Sequence, residues 1–350
     1  MEASYKKYTL DFKVPSGTSR GILTQKETWF LVLRDHGRFG IGECGILRGL
    51  SVDDMPDYEE KLAWTCKNIH LGLEPLLNRL MEYPSIQFGL EQVFLSVAAN
   101  DPFELFPSDF TQKQAPIPIN GLIWMGNEAY MLQQLEQKLK EGFLCIKMKI
   151  GAIEFEKELS ILRSIRNNFS PDEIELRVDA NGAFSVEEAM EKLERLSAFS
   201  IHSIEQPIRQ GQWDAMAELC EDTPLPIALD EELIGIFSVT QKQKLLQTIQ
   251  PQYMILKPSL VGGFAGSQQW IELAEKQQIG WWITSALESN IGLNAIAQWT
   301  FTQNNNMPQG LGTGSLYTNN IESPLQVVGG KLVYGNTKEW NVDLIKKICT

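Results

Sequence analysis

The stretch Cys145-Ile146-Lys147-Met148-Lys149-Ile150-Gly151 decides how the fold and the chemistry of this chain are interpreted. Its residues alternate, so in a β-strand Lys147 and Lys149 would share one face and the apolar side chains the other. Burying two unpaired ammonium groups would cost about as much free energy as the net stability of a small domain. The stretch is therefore either a solvated edge strand or part of a functional site, and the sequence on either side has to decide.

The composition of the chain is typical of a globular protein with a full hydrophobic core. It has 350 residues, of which 43% are hydrophobic, and its mean hydropathy is −0.17. A formal net charge of −13 would repel nucleic acid and anionic membranes, which argues against both as partners. Because we find neither a signal peptide nor an apolar run of about 18 residues, we expect a cytoplasmic protein. The sequence gives no indication of oligomeric state.

The cysteines and histidines form no recognisable disulfide or metal motif. The five cysteines are widely spread without a Cys-x-x-Cys pair, which fits free thiols in a reducing compartment. None of the three histidines, His36, His70 and His202, has a histidine partner at helical or strand spacing. If a metal ion binds, we expect carboxylates to hold it.

The N-terminal third reads as an α+β unit. Residues 8–14, 29–33 and 39–44 alternate as in a small antiparallel meander, and helical periodicity follows from about residue 52 to 99. Two loops, 17–21 with Arg20 and 47–51 with Arg48, could reach over a neighbouring site. The alternative for both loops is an ordinary polar turn.

After a proline-containing linker at 100–114, the pattern changes to short apolar runs that alternate with amphipathic stretches. The runs are 117–120, 145–149, 175–179, 201–205, 227–230, 253–257, 281–284 and 309–312. Eight runs separated by seven helical segments favour a (β/α)7β TIM-like barrel over an open sheet, which would need a Gly-x-Gly-x-x-Gly fingerprint to bind a dinucleotide. We predict a capping domain at 1–112, with 320–350 packing back on it, and a barrel at 113–319.

Charged residues end five consecutive runs of the predicted barrel. They are Lys149, Asp179, Glu205, Asp230 and Lys257, and they follow one another at intervals of 25 to 30 residues. Because the C-terminal ends of barrel strands surround one mouth, these side chains should converge on a single pocket. Five independent surface charges would rarely share this register.

The carboxylates of this set predict a metal site. Asp179, Glu205 and Asp230 provide hard oxygen ligands suited to Mg²⁺, and without a cation they would repel one another. Asn181 and Glu231 are candidates to orient these ligands by hydrogen bonds. We place Arg177 on the same face as Asp179, where it could pair with a ligand or with the lysines.

The lysines predict acid–base chemistry. A lysine amine acts as a base near neutral pH when another cation lowers its pKa, and Lys147 lies beside Lys149 for that purpose. Lys257 should face Lys149 across the pocket. A metal ion that holds a carboxylate, with a lysine on each face of the α-carbon, is suited to removing a proton next to that carboxylate.

Ordered motifs of this chain resemble those of the enolase superfamily, in its muconate-lactonizing subgroup. They are Lys147-Met148-Lys149, Arg177-Val178-Asp179-Ala180-Asn181, Ser203-Ile204-Glu205-Gln206-Pro207, Leu229-Asp230-Glu231 and Leu256-Lys257-Pro258-Ser259. The resemblance covers nearly the whole chain and implies a capping domain, a barrel, and a lysine base with Mg²⁺, or Mn²⁺ as a substitute.

Further residues narrow the resemblance to subgroup members that act in menaquinone biosynthesis. They are Gly42-Glu43, the 47–51 loop, Ser285-Ala286-Leu287-Glu288-Ser289-Asn290-Ile291-Gly292 and Gly310-Leu311-Gly312-Thr313. The resemblance implies a small-molecule carboxylate substrate and loss of water from 2-succinyl-6-hydroxy-2,4-cyclohexadiene-1-carboxylate. It also implies that Ser285 and the amides around Gly312 contact the succinyl tail, while Arg20 and Arg48 close a lid. A simple helix cap is the alternative for Ser285.

Other functions remain open on the same frame. An N-succinylamino acid racemase, a dipeptide epimerase or a cycloisomerase could also use two opposed lysines. Dipeptide epimerases typically carry Asp-x-Asp at the eighth strand, which Gly310-Leu311-Gly312 lacks, and no histidine follows His202 for a mandelate-racemase-like mechanism. A catalytically silent binding protein is the remaining alternative, but all five strand-end positions carry chemically competent residues.

Overall fold

The N-terminal region of the computed structural model, which describes residues 1–18, 21–341, 343, 345 and 347, is an antiparallel sheet. Its strands are β1 (Glu2–Thr18), β2 (Gly21–Asp35) and β3 (Arg38–Gly45), in the order β1-β2-β3. A two-residue turn joins β2 to β3, and both turn residues, His36 and Gly37, have positive φ. The strands are longer than the sequence predicted, because the polar ends of β1 and β2 pair without being buried.

Helices pack on one face of this sheet. They are α1 (Tyr58–Lys67), α2 (Leu73–Arg79) and α3 (Pro84–Ala98), and α4 (Asp109–Lys113) follows in the predicted linker. The closest approach is between β3 and α3, where a Cβ on Gly42 would lie 2.2 Å from the carbonyl oxygen of Gly89. Trp29, Leu31 and Leu90 belong to the apolar core between sheet and helices.

The larger part of the chain is a curled parallel sheet surrounded by helices. After β4 (Ile117–Pro118), its strands in the described chain are β5 (Gly121–Ile123), β6 (Cys145–Lys149), β7 (Glu175–Asp179), β8 (Ser203–Glu205), β9 (Ile227–Leu229), β10 (Tyr253–Leu256) and β11 (Gly280–Ile283). They lie side by side in chain order. The connecting helices are α5 (Glu128–Lys140), α6 (Phe155–Asn168), α7 (Val186–Ser197), α8 (Trp213–Asp222), α9 (Val239–Ile249), α10 (Pro258–Val261), α11 (Gly263–Lys276) and α12 (Asn290–Thr302).

A two-residue segment closes the barrel between β11 and the start of β5. Gln309 forms a parallel bridge with Ile119, and Gly310 forms one with Thr284. The first barrel strand thus extends beyond the predicted run at 117–120, because residues 117–118 pair instead with the antiparallel hairpin near the C-terminus. The predicted architecture, a (β/α)7β barrel with an α+β cap, is confirmed.

The C-terminal region contacts both parts of the chain. The hairpin of β12 (Leu325–Val328) and β13 (Lys331–Tyr334) pairs with β4. Beyond it, the Trp340 ring stacks on Phe103 at 4.4 Å, and the Tyr8 hydroxyl donates to the carbonyl of Asn319. The domain limits at 112 and 319 stay a prediction. Within the described ranges, the helices are too short or too polar to cross a membrane.

Candidate active site

The five charged strand ends meet at one mouth of the barrel, as the spacing predicts. Lys149 is the register partner of Asp179, and Asp179 is the register partner of Glu205, so the three lie side by side on β6, β7 and β8. Asp230 directly follows β9, and Lys257 directly follows β10. Short strands that end at the same level therefore place these side chains around one pocket.

Three of these residues form a compact group of carboxylates. Asp179, Glu205 and Asp230 each offer an oxygen within 4.8 Å of the others, and all three side chains are buried. The Oε1 atom of Glu205 is buried, and no hydrogen-bond donor of the described residues reaches it. An acceptor oxygen left in this state is costly unless a cation or another donor reaches it. Three hard oxygen donors and one such oxygen fit a divalent metal ion.

Lys147 supplies positive charge directly to this group. Its Nζ lies 3.0 Å from Oδ2 of Asp179 and also contacts Oε2 of Glu205. Although burial lowers the pKa of Lys147, the facing carboxylates outweigh it and raise that pKa overall. Lys147 is therefore a charged partner of the carboxylates at neutral pH.

Asp179 and Glu205 respond differently to the shared lysine. Burial raises the pKa of Asp179, but Lys147 and Lys149 oppose it and leave the value well below the ordinary one. Burial raises the pKa of Glu205 to about 7, because Lys147 offsets it only in part and the neighbouring carboxylates add to it. The difference follows from geometry, since among the described residues two lysines reach Asp179 and one, Lys147, contacts Glu205.

Lys149 is fixed by two oxygen atoms. Its Nζ lies 3.0 Å from Oδ2 of Asp179 and donates to Oδ1 of Asn181 at 2.7 Å. The Asn181 amide group in turn donates to Oε1 of Glu231 at 2.9 Å. The two residues predicted to orient the ligands thus form a chain that leads from Lys149 to the end of β9. Burial and the adjacent Asp230 raise the pKa of Glu231.

Lys257 lies across the barrel from Lys149. It follows the strand four positions away in the sheet order, and it forms an ion pair with Asp230. Burial lowers the pKa of Lys257, but Asp230 and Glu231 outweigh this effect and the pKa is raised. A persistent cation therefore faces Lys149 over the carboxylates.

A cavity of about 410 Å³ opens above these residues. Loops of the cap and strand ends of the barrel both line it, and Leu47 and Leu50 of the cap cover one side. Its cationic lining residues are Lys13, Arg48, Lys138, Lys147, Lys149 and Lys257, whereas Asp179 and Glu231 are the acidic ones among the described residues. The cavity therefore suits a small molecule with more than one negative charge.

Ser285 and Gly312 line this cavity, and their predicted contact with a succinyl tail stays a prediction. The Ser285 hydroxyl donates to Oε2 of Glu288 at 2.6 Å, so its proton is not free for a ligand. The alternative, a cap of the next helix by Ser285, is wrong, because Ser289 is the residue that caps α12. Glu288 also accepts from the Ser259 hydroxyl. The Ser-x-x-Glu spacing could have indicated this pairing, which our sequence reasoning missed.

The two predicted arginines that the structure describes have partners other than those expected. Arg48 lines the cavity, but its guanidinium pairs with Glu27 and Asp54. Arg20 lies outside the described residues. Arg177 shares the interior face with Asp179, yet it points toward the opposite mouth, where it pairs with Glu175 and donates to the carbonyl of Pro308. The expected pairing of Arg177 with a metal ligand or a lysine is therefore wrong.

Known proteins resemble this chain in sequence and in fold. Residues 130–336 match the model of the family described as enolase C-terminal domain-like. The chain belongs to the enolase superfamily. Enzymes of the superfamily use a divalent metal ion, and the three carboxylates provide a place for one. The chain is 49% identical to the o-succinylbenzoate synthase of Desulfotalea psychrophila (strain LSv54 / DSM 12343), over 95% of this chain and 98% of that protein.

Solved structures of the superfamily agree with this assignment. The crystal structure of MenC from Desulfotalea psychrophila LSv54 superposes with a TM-score of 0.85 and 46% identity, over 95% of this chain and 99% of that chain. Muconate lactonizing enzyme from Pseudomonas fluorescens, complexed with muconolactone, gives a TM-score of 0.84 at 21% identity, over 99% and 98% of the two chains. The second similarity shows the fold alone. The resemblance to the superfamily inferred from the sequence is confirmed.

Proposed function

We propose that this enolase-superfamily protein is an o-succinylbenzoate synthase. It removes water from 2-succinyl-6-hydroxy-2,4-cyclohexadiene-1-carboxylate and forms 2-succinylbenzoate, a step of menaquinone biosynthesis. The observation that carries the proposal is the placement of Lys149 and Lys257 on strands four apart in the barrel, with three carboxylates between them. The high similarity to the Desulfotalea psychrophila enzyme supports the same reaction.

The cavity fits a substrate with two carboxylates. The ring carboxylate belongs beside Asp179 and the lysines, and the succinyl tail extends toward the cap. Lys13 borders the cap side of the cavity, where its positive charge favours the tail carboxylate; Arg48 lies there too, but Glu27 and Asp54 pair with its guanidinium. Backbone amides around Gly312 are further donors for the tail, whereas the Ser285 hydroxyl is held by Glu288.

The lysines perform the proton transfers. The amine of Lys149 takes the proton from C1, and the electron pair of that C–H bond moves into the carboxylate to form an enediolate. When the enediolate collapses, the C6–O bond breaks and the hydroxyl leaves as water with the proton that Lys149 carries. The same lysine thus serves both steps on one face, a syn elimination. The Lys257 ammonium stabilises the negative charge from the other face.

Asp179, Glu205 and Asp230 would hold Mg²⁺, with Mn²⁺ as a substitute. When bound, the ion supplies positive charge that favours a carboxylate on which further negative charge develops. The buried Oε1 of Glu205 and the hard oxygen donors support this assignment. Asn181 and Glu231 keep Lys149 at its position through their hydrogen bonds.

N-succinylamino acid racemisation is the second candidate, because a racemase also needs a lysine on each face of the α-carbon.

The acidic lining residues of the cavity, Asp179 and Glu231, both lie at the metal end in the described chain. A dipeptide substrate would bring an ammonium group to the far end of the cavity. Since the described residues offer it no carboxylate there, dipeptide epimerisation is disfavoured.

The decisive experiment supplies purified protein and Mg²⁺ with the cyclohexadiene substrate and follows the aromatic product by absorbance. We expect rapid formation of 2-succinylbenzoate. A parallel incubation contains an N-succinylamino acid in ²H₂O, in which racemisation exchanges the α-proton. Absence of aromatic product, together with rapid exchange in the parallel sample, would overturn the proposal in favour of the racemase.

Substitution of each opposed lysine tests the mechanism. Lys149→Ala and Lys257→Ala should each lower kcat by at least about a thousandfold, because general acid–base and electrostatic contributions are of that size. Circular dichroism should show an intact fold. Near-normal turnover in Lys149→Ala would show that another group is the base, and near-normal turnover in Lys257→Ala would remove its role in charge stabilisation.

A further inference from the structure

Glu43 is a buried carboxylate of the capping sheet that binds the barrel. It lies on β3 with no exposed surface, and its side chain accepts hydrogen bonds from the backbone N–H of Ser289 and of Gly292, both at 2.9 Å. The Ser289 hydroxyl donates to it as well. Thr28, from the neighbouring strand of the cap, provides another donor at 2.9 Å. One side chain thus joins two parts of the chain that are far apart in sequence.

The barrel donors belong to Ser289, the N-cap residue of α12, and to Gly292 in its first turn. The N–H groups at a helix N-terminus have no partner within the helix, and a carboxylate there is favoured by hydrogen bonding and by the helix dipole. Ser289 caps the N–H of Ile291 with its own hydroxyl. Glu43 takes N–H groups that Ser289 leaves, so the cap of α12 is complete only when the capping domain is docked.

The absence of a side chain at Gly292 leaves space for the Glu43 carboxylate. A Cβ on Gly292 would lie 2.9 Å from Oε2 of Glu43, which is closer than real Cβ atoms come. Glu43 itself follows Gly42, whose lack of a side chain lets β3 approach α3. These contacts give a physical reason for the Gly42-Glu43 and Ser285–Gly292 motifs, to which the proton-transfer chemistry assigns no role.

Both segments that Glu43 connects continue into walls of the substrate cavity. Leu47, Arg48 and Leu50 follow it closely in the cap, and 285–287 precede α12 in the barrel. We infer that Glu43 is a positioning residue that sets the distance between these two walls and so determines how tightly the succinyl-bearing substrate binds. This inference rests on the proposed function for the identity of the ligand.

The residues that Glu43 contacts are different from the residues that hold the proton-transfer groups. The side-chain partners of Glu43 lie on β2 and on α12 with its cap, whereas the contacts that fix Lys149 are made by Asp179 and Asn181. Loss of the Glu43 contacts should therefore displace the walls and leave the proton-transfer groups in place. The expected signature is a raised KM with a nearly unchanged kcat.

Two variants of Glu43 test separately the charge and the length of its side chain. Lys26 is buried with its Nζ 4.0 Å from Oε1 of Glu43, so Glu43→Gln also removes a counter-charge. Glu43→Asp keeps the charge but shortens the side chain by one methylene, which withdraws the carboxylate from α12. We expect KM to rise about tenfold or more in both variants, with kcat within about threefold of the wild-type value.

Glu91 provides a matched control. It comes from α3 of the cap, is buried, and accepts from the backbone N–H of Phe264 and Ala265 at the start of α11. Both carboxylates accept backbone N–H groups at the start of a barrel helix, but none of the residues 258–266 lines the cavity. Glu91→Gln should therefore lower thermal stability to a similar degree as Glu43→Gln while leaving KM unchanged.

Steady-state kinetics and amide hydrogen exchange on the full chain decide the question. In the Glu43 variants, peptides containing 46–51 and 285–293 should exchange faster than in Glu91→Gln. If the wild-type protein has no dehydratase activity, the proposed function is refuted. Amide hydrogen exchange would then still show whether the Glu43 variants loosen the two cavity walls. Wild-type activity with an unchanged KM in both Glu43 variants, or an equal KM rise in Glu91→Gln, would refute the role of Glu43.

Discussion

Lys242 lies inside the protein, where its hydrogen-bond partners among the described residues include no carboxylate, and its replacement by methionine should stabilise the fold. The residue is on α9 with 1% of its surface exposed. Its Nζ donates to the carbonyl of Gly266 and to Oε1 of Gln269, both at 2.9 Å, and lies 5.4 Å from the ring centre of Trp270. These contacts compensate only in part for the loss of hydration, and burial lowers the pKa of Lys242 to about 8.

The size of the effect follows from that pKa. A free lysine titrates near 10.5, and each unit of difference corresponds to about 1.4 kcal/mol, so the buried charge costs roughly 3 kcal/mol at neutral pH. Lys242→Met removes this cost and fills a similar volume. The substitution also removes the two hydrogen bonds of the lysine amine. Together they are worth about 1 kcal/mol, since Gln269 is only partly buried and water can hydrate it. We therefore expect a net gain of about 2 kcal/mol.

The pH dependence has a definite sign. Since the pKa is lower in the folded state, the wild-type protein carries the full cost below about pH 8, and the cost disappears as the pH rises through 10.5. Urea unfolding at pH 7 and at pH 10 should therefore show a large advantage of Lys242→Met at pH 7 and a smaller one at pH 10. Lys140→Met, at an exposed position on α5, is the control and should change stability by less than about 0.5 kcal/mol. A Lys242→Met protein that is less stable than the wild type at pH 7 would refute the reasoning.

Three further predictions concern the active site. Glu205→Gln removes a negative donor from the carboxylate group and should weaken Mg²⁺ binding at least about tenfold in titration calorimetry, whereas unchanged affinity would exclude Glu205 as a ligand. Asn181→Leu breaks the chain between Lys149 and Glu231 and should lower kcat about tenfold with little effect on KM; equal kcat values would contradict a positioning role. Dialysis against a chelator should abolish turnover, and Mg²⁺ or Mn²⁺ should restore it; full activity after exhaustive chelation would exclude a metal requirement.

The sequence predicted the convergence of the charged strand ends because that property depends on local geometry alone. A strand has a period of two residues and each βα unit returns the chain to the same mouth, so spacing is enough to bring Lys149, Asp179 and Glu205 together. Alternation also placed Arg177 correctly on the interior face. Alternation does not say toward which mouth of the barrel a long side chain turns. Arg177 turns toward the mouth opposite the carboxylates because it pairs with Glu175 there.

Other errors have the same origin in tertiary partners. Arg48 was placed correctly in a loop at the site, but its guanidinium forms an ion pair with Glu27 of β2. Residues 117–118 are apolar enough for the barrel, yet they pair with β13, which lies more than 200 residues later in the chain. The pairing of Ser285 with Glu288 could have been read from their spacing, although burial of that pair depends on the surrounding loops.

The two-residue closure of the barrel constrains the order of folding. Strands β5 to β11 can each pair with a neighbour one βα unit away, and such contacts form early because the loops are short. Gln309 instead pairs with Ile119, about 190 residues earlier in the chain, and Gln309 and Gly310 make only a few backbone bonds to their neighbours. The seam should therefore join last. The pocket gains its final wall in the same step, so a refolding chain acquires secondary structure well before it acquires activity.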